Sequence, residues 1–560
     1  MKKESGKINL FLLILIAILL IVTCYFIIIK ANVNKESNIT NVGGEKTENL
    51  SENEYAVKDN NFSKFDLSFL KFENEKENKI YSPLSIKYAF KMLEEATTGE
   101  SHGQISSIIN AYNLTKYKSN KNMSLANAFF VRDTYKNNIK EDYVNLLKTN
   151  YNADVVYDSF SSANKINSWV KENTLELIPE LLEDSDLEEL DFALINALGI
   201  DMEWNHKFLE HNYEDDKNIT NYVSYYHEKL PNEEWGFSWT TDMILYEKKF
   251  NNNQKVSTMK VEASLNNYDI VKELGEEKIR ETVYEDFRNW ALDNKEYNAS
   301  DFNNDYSEEN IKRIFDNWFD KSIAPGDSQY EGEGYIAEIN KNKENIDYST
   351  DFSIYVDDEV KVFAKDLKEY DGTTLQYIGI MPTNEDLDSY VNSLEYTDVL
   401  ELINNLKELK RENFKDGYLT YIHGYIPKFN FEYELNLLDD LKKMGIEDVF
   451  TEGKANLTNL TDDENAYINT AKHKANIEFT QDGIKAAAAT MAGGGGAGGW
   501  YDYFFEMPTE DIDITFDKPY MFLIKDKDTN ETWFVGTVYE PLNAEEETGE
   551  IEIPYEDIVH

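Results

Sequence analysis

The residues from Thr480 to Thr490 read TQDGIKAAAAT, and the run GGGGAGG follows from Gly493 to Gly499. Alanine is the best helix former, so AAAAT can be an ordinary helix. As an extended strand the segment has a second use, because alternate residues face opposite sides. If Ile484 points inward, so do Ala486, Ala488, Thr490, Ala492 and Gly494, all uncharged and most of them small. Lys485 then points outward. No proline interrupts Gly483 to Trp500, so every residue can donate to a ladder. A phosphate-cradling reading of the glycine run fails, since no Gly-Lys-Ser/Thr follows and no basic residue adjoins it.

Other chemistry-bearing residues form no enzyme constellation. The seven histidines show no His-x-x-x-His spacing; His206 and His211 lie five apart in a polar stretch and read as surface residues. With 106 Asp and Glu residues, carboxylate pairs are expected by chance. Cys24 is the only cysteine, which excludes an intramolecular disulfide and a cysteine-based zinc site. The sequence implies no catalytic residue, no metal and no cofactor.

The elements that must position the 480–500 segment belong to a folded chain of 560 residues, 41% hydrophobic and 13% aromatic. A formal net charge of -50 argues against a nucleic-acid partner, which needs a positive field, and reads as a solvated acidic surface. Leu10 to Ile29 is an unbroken apolar run, matching the ~20 residues of a membrane-spanning helix. Lys2, Lys3 and Lys7 precede it, so residues 1–9 are expected in the cytoplasm and the C-terminal part outside the cell. Residues 30–62 read as a polar spacer. Periodicity predicts helices over Ile86 to Glu95, Lys165 to Leu177 and Leu435 to Met444. Strands are expected over Asn127 to Val131, Phe192 to Ile200 and Leu375 to Met381, with a hairpin of Tyr520 to Ile524 and Trp533 to Val538. Helices first and hairpins later indicate α+β. Residues 209–347 have a different, Asn- and Tyr-rich texture, with helical patterns over Glu276 to Leu292 and Asn310 to Trp318. They read as an insertion, either surface decoration or a small accessory module. Residues 542–560 read as an acidic tail.

Several stretches, taken in order, resemble the serpin family: Tyr81-Ser82-Pro83-Leu84-Ser85-Ile86, Leu125-Ala126-Asn127-Ala128-Phe129-Phe130-Val131, Ile166-Asn167-Ser168-Trp169-Val170, and Leu194-Ile195-Asn196-Ala197 with Trp204 and Phe208. Val362 to Asp366 with Pro382, Tyr425 to Phe429, Phe516 to Ile524 and Phe534 to Pro541 continue the set. The resemblance places a serpin domain at 63–541. It implies three β-sheets, about nine helices and an exposed reactive-centre loop near the C-terminus. It also implies that Ser82, Ser85, Asn196 and His473 form a polar cluster under the opening region of the central sheet, with Trp204 where the loop first enters. His473 is either a satisfied core histidine or a pH-responsive group.

By the same resemblance, Gly483, Ile484, Lys485, Ala486, Ala487, Ala488, Ala489 and Thr490 are the loop hinge. A target protease would cut the loop and form a covalent acyl-enzyme, and the loop would then insert as a new strand. The hinge departs from the family pattern at Gln481, Ile484 and Lys485. Counting forward from Gly483 places the scissile bond at Ala497-Gly498; counting back from Pro519 places it at Pro508-Thr509. Ala497 suits an elastase-like enzyme, and Tyr501 to Phe505 a chymotrypsin- or subtilisin-like one. No Arg or Lys lies between Ala486 and Lys518, which argues against a trypsin-like target. The expected protein is a monomeric, single-pass, extracellular inhibitor of serine or cysteine proteases. The alternative is a non-inhibitory binding or surface-interaction protein of the same fold.

Overall fold

The computed structural model describes residues 53–188, 190–206, 208, 249–251, 254–267, 270–323, 352–480 and 508–543. The apolar run Leu10 to Ile29, the hinge Gly483 to Thr490, Ala497 and Gly498 lie outside them. So do most of the expected spacer and tail. Among the described residues no helix is long and apolar enough to cross a membrane.

Local sequence sets the first elements. Ser63 caps helix α1 (Lys64–Phe72) through a reciprocal box with Asp66. Ser82 caps α2 (Pro83–Ala96), whose first residue is a proline that has no amide hydrogen to leave unpaired. Helices α3 (Gly99–Ile109), α4 (Glu141–Asn150) and α5 (Asn164–Asn173) follow. Next come α6 (Ile270–Leu274), α7 (Glu276–Asp293), α8 (Lys295–Asn298) and α9 (Glu308–Ile323). The last three are α10 (Leu387–Ser393), α11 (Tyr396–Asn404) and α12 (Leu437–Lys443). The expected helix over Leu435 to Met444 therefore starts later. Leu435 and Asn436 end a strand, and the Asn436 side chain caps α12 by accepting from the Leu438 amide.

The largest sheet has seven strands in the order β1 (Lys79–Tyr81), β17 (Thr532–Val538), β16 (Tyr520–Asp526), β10 (Leu375–Pro382), β9 (Val360–Asp366), β8 (Phe352–Val356) and β11 (Lys407–Glu408). β16 and β17 form the expected hairpin and are buried along their whole length. A three-stranded sheet has the order β15 (Thr509–Asp513), β12 (Leu419–Pro427), β7 (Thr258–Asn266). A second set of three strands, β3 (Asp154–Asp158), β2 (Met123–Arg132) and β4 (Phe192–Ile200), stands apart from the pair β13 (Phe429–Asn436) and β14 (Lys472–Phe479). β5 (Lys249–Phe250) and β6 (Gln254–Lys255) form a small ribbon. The expected central sheet is thus present as two half-sheets.

The expected insertion 209–347 is not one foreign block. β7 pairs with β12 over its full length and buries Met259, Val261, Ala263 and Leu265 on alternate positions, so residues 258–266 belong to the main fold. The helical patterns are real: α7 and α9 pack Ile279, Val283, Phe287, Ala291, Ile311, Phe315 and Phe319, with Phe302 from the turn before α9, into a core of their own. Twelve α-helices stand among the described residues, three more than the nine expected, and four of them, α6 to α9, lie in this region. The expected tail is also anchored where it begins. Leu542 donates to the Lys428 carbonyl and accepts from the Ser257 amide, and Asn543 bridges to Val256.

Candidate functional site: a seam between two half-sheets

β14 alternates strictly, with His473, Ala475, Ile477 and Phe479 buried and the intervening residues half-exposed. On one side it pairs with β13. Across from its other edge lies β4, which pairs on its own far side with β2. No ladder joins β4 to β14 among the described residues. Two strand edges thus flank one crevice, each carrying backbone donors and acceptors that a further strand could meet.

The crevice is built in layers. Its floor is Ser82, Ser85, Ile86 and Ala89 of α2, with Ile80 and Phe534 from the seven-stranded sheet. Its roof is Val170 of α5 and the segment after it, including Thr174, Ile178 and Leu181. The roof sits so close that a Cβ on Gly199 would lie 2.6 Å from the Thr174 carbonyl oxygen, which explains glycine there. The free volume is about 70 Å³ at the His473 end and about 10 Å³ toward Ile200. A water needs roughly 10–15 Å³, so the crevice has room for a few waters but not for a strand, and a strand can enter only if the half-sheets part.

The four residues expected in the polar cluster do come together. The Ser82 backbone N–H donates to His473 Nε2 at 2.9 Å, which ties α2 to β14. Ser85 Oγ donates to the Asn196 carbonyl at 3.4 Å, which ties the same helix to β4. The N-terminus of α2 thus bridges the two half-sheets. Because Nε2 accepts, His473 is neutral here, and burial pushes its pKa down to about 4. Asn196 Nδ2 donates to Asn127 Oδ1 at 2.8 Å, and Asn127 Nδ2 donates to the Tyr151 carbonyl. Asn196 Oδ1 is buried without a hydrogen-bond partner. Sequence reasoning missed Asn127, although a lone amide inside the apolar run LANAFFV was a usable signal.

Trp204 closes the other end. It is fully buried, and its indole N–H donates to the Thr480 carbonyl at 2.9 Å. Its ring meets Phe479 edge-on with centroids 5.4 Å apart, and Phe479 stacks on Phe429 at 4.6 Å. Trp204 therefore latches the sheet edge at Thr480, the residue that precedes the 481–507 segment in sequence. Beyond it, Thr509 pairs with Leu419 as the first residue of β15. A protease cleft takes extended residues on both sides of the bond it cuts. Cleavage at Pro508-Thr509 would require the residues after it to leave their ladder.

The comparisons with known proteins agree with this architecture. The profile described as Serpin (serine protease inhibitor) matches residues 59–224 and 340–541, well over half of the chain. The chain belongs to the serpin family. It is 22% identical to neuroserpin of Homo sapiens over 495 residues, which cover 84% of this chain and 88% of that protein. It is 34% identical to serpin B10 of Rattus norvegicus over 123 residues, 22% of this chain and 29% of that one. Among solved structures it is similar to the thermophilic serpin tengpin in the native state, with a TM-score of 0.51, 19% identity and coverage of 90% of this chain and 98% of that one. Thyroxine-binding globulin in complex with thyroxine follows at a TM-score of 0.50 and 16% identity, covering 85% and 98%. Serpins are generally protease inhibitors rather than enzymes.

Proposed function

We propose that the protein is a membrane-anchored, extracellular suicide-substrate inhibitor of serine proteases. One observation carries this reading: the chain leaves β14 at the mouth of an unpaired seam and runs directly into a segment whose alternate residues suit burial in that seam. The protease serine attacks a loop carbonyl and the chain is cut, with the acyl group left on the enzyme. The freed segment from Gly483 then enters between β4 and β14. Ile484, Ala486, Ala488 and Thr490 face the floor, beside the buried row of β14. Backbone bonds form on both edges, each contributing ~1 kcal/mol net. The protease is carried along and distorted; a displacement of about 1 Å at an active site can cost ~10²-fold in rate. Trp204 and the Ser82–His473 contact must give way first, so they set how readily the seam opens.

Ala497-Gly498 is the favoured scissile bond, because Thr509 is already held in a ladder. Anchoring rests on Leu10 to Ile29 and its flanking lysines. The helical module of α6 to α9 is an accessory unit on the serpin domain. The glycine run favours a second reading, a non-inhibitory binding protein of this fold, since every glycine ordered into a strand costs entropy. Denaturing gels after mixing with elastase-, subtilisin- and chymotrypsin-like proteases separate the two. A covalent band is expected. Clean loop cleavage with every enzyme left active supports the binding protein instead.

A further inference from the structure

α1 and α2 meet around a charged cluster that loop insertion does not use. Asp66 on α1, Lys87 on α2 and Glu531, one residue before β17, are each fully buried, at 0% exposure. Lys87 Nζ lies 2.8 Å from Asp66 Oδ1 and 3.2 Å from Glu531 Oε1. The Lys87–Asp66 contact lacks hydrogen-bond geometry, for Oδ1 has no hydrogen-bond partner despite the nearby nitrogen. Oδ2 is served differently: the Ser63 backbone N–H and the Ser63 hydroxyl both donate to it at 2.8 Å. Tyr112 OH donates to Glu531 Oε2 at 2.8 Å and fixes that carboxyl.

This is a poor arrangement for a plain ion pair. One cation faces two carboxylates in a dry core, where charges lose far more hydration than they regain. Burial pushes the Glu531 carboxyl above its usual range and makes it a stronger base. Burial also works against the charge on Lys87, but Asp66 and Glu531 outweigh it and hold the proton there. Condensing the ammonium with a carboxylate would turn two buried charges into none.

We propose that Lys87 and Asp66 join in an intramolecular amide bond, with Glu531 as the proton shuttle. Glu531 Oε1, which accepts the Lys87 hydrogen bond at 3.2 Å, first takes a proton from the ammonium and passes it to Asp66 Oδ1. The Nζ lone pair then adds to Asp66 Cγ, making the N–C bond, and the charge that develops on Oδ2 meets the two Ser63 donors. Glu531 relays a proton from Nζ to the Oδ1 hydroxyl and returns to its starting state. The Cγ–Oδ1 bond breaks and one water leaves. Amine and carboxylic acid become amide and water, with no oxidant, metal or cofactor. The bond ties α1 to α2, the helix whose N-terminus holds Ser82 and Ser85 between the half-sheets. It gives the floor a covalent anchor while the seam opens.

Peptide mass spectrometry of the full-length chain tests this directly. The expected result is one branched peptide carrying both Asp66 and Lys87, lighter by one water than its two parts, with trypsin unable to cut after Lys87. Linear, unmodified peptides at both positions would overturn the proposal. Loss of water from a linear Asp66 peptide would overturn it too, since that reports a succinimide. Glu531→Gln keeps the shape of the cluster, and its folded fraction, isolated by resistance to proteolysis, should lack the branched peptide. A fully bonded Glu531→Gln protein would remove Glu531 from the mechanism. The wild-type peptide decides the bond itself even where the variant fails to fold.

Discussion

β16 and β17 are buried along their whole length and paired on both sides, whereas β4 and β14 each leave one edge facing a crevice. The difference lies in what the strands meet. In the seven-stranded sheet the packing is so close that a Cβ on Gly536 would sit 2.2 Å from the Lys79 carbonyl oxygen. At the seam the neighbours are serines, an asparagine and a neutral histidine, joined by a few hydrogen bonds that can be exchanged. The first region stores stability, and the second leaves a ladder to be completed later.

The largest expected effect breaks the seam's use without touching the fold. Ala488→Arg places a charge on the face that must be buried on insertion, and an unpaired buried charge costs several kcal/mol, enough to slow insertion by ~10²-fold or more. The variant should be cut as a plain substrate, read as a steep rise in the number of inhibitor molecules consumed per protease. Normal trapping by Ala488→Arg would show that this residue never enters the sheet.

His473 sharpens the contrast through pH. Its folded pKa of about 4 lies below the unfolded value of about 6.5. Above the unfolded value both states are neutral and its contribution is complete. As the pH falls between the two values, the unfolded chain takes up a proton that the folded chain refuses, so stability drops. The total is about 3 kcal/mol. Urea unfolding of wild type against His473→Gln should show this extra slope between those values in wild type alone. Parallel curves would mean that His473 is solvated.

Gly536→Ala tests the sealed sheet, where overpacking should cost about 1–3 kcal/mol in unfolding free energy while leaving the behaviour of the cut loop unchanged. The smallest effect is at the latch. Trp204→Phe keeps an aromatic ring but loses the hydrogen bond to Thr480, worth about 1 kcal/mol. The uncut protein should unfold slightly more easily and convert faster to a loop-inserted form on warming, followed by native gels. An unchanged conversion rate would place the opening step elsewhere.

Much of this was legible in the residues. Strand and helix periods placed Phe192 to Ile200, the Tyr520 to Val538 hairpin and the helices over Glu276 to Leu292 and Asn310 to Trp318. The family resemblance implied a polar cluster of Ser82, Ser85, Asn196 and His473 under the opening region of the central sheet, with Trp204 where the loop first enters. The split itself was not legible, because alternation within a strand says which face is buried and nothing about which edge is paired. β7 was hidden in a polar-textured region, although Met259, Val261, Ala263 and Leu265 alternate as a strand should. The burial of Lys87 was not legible either. In the amphipathic pattern of Ile86 to Glu95 a lysine reads as solvent-facing, yet it is buried against two carboxylates that come from far along the chain.

The most direct test of the seam is the melting temperature of the protein before and after a single cut within residues 481–507. If the freed segment completes the ladder between β4 and β14, the cut protein must melt well above the intact one. A melting temperature that stays level or falls after the cut would contradict the account.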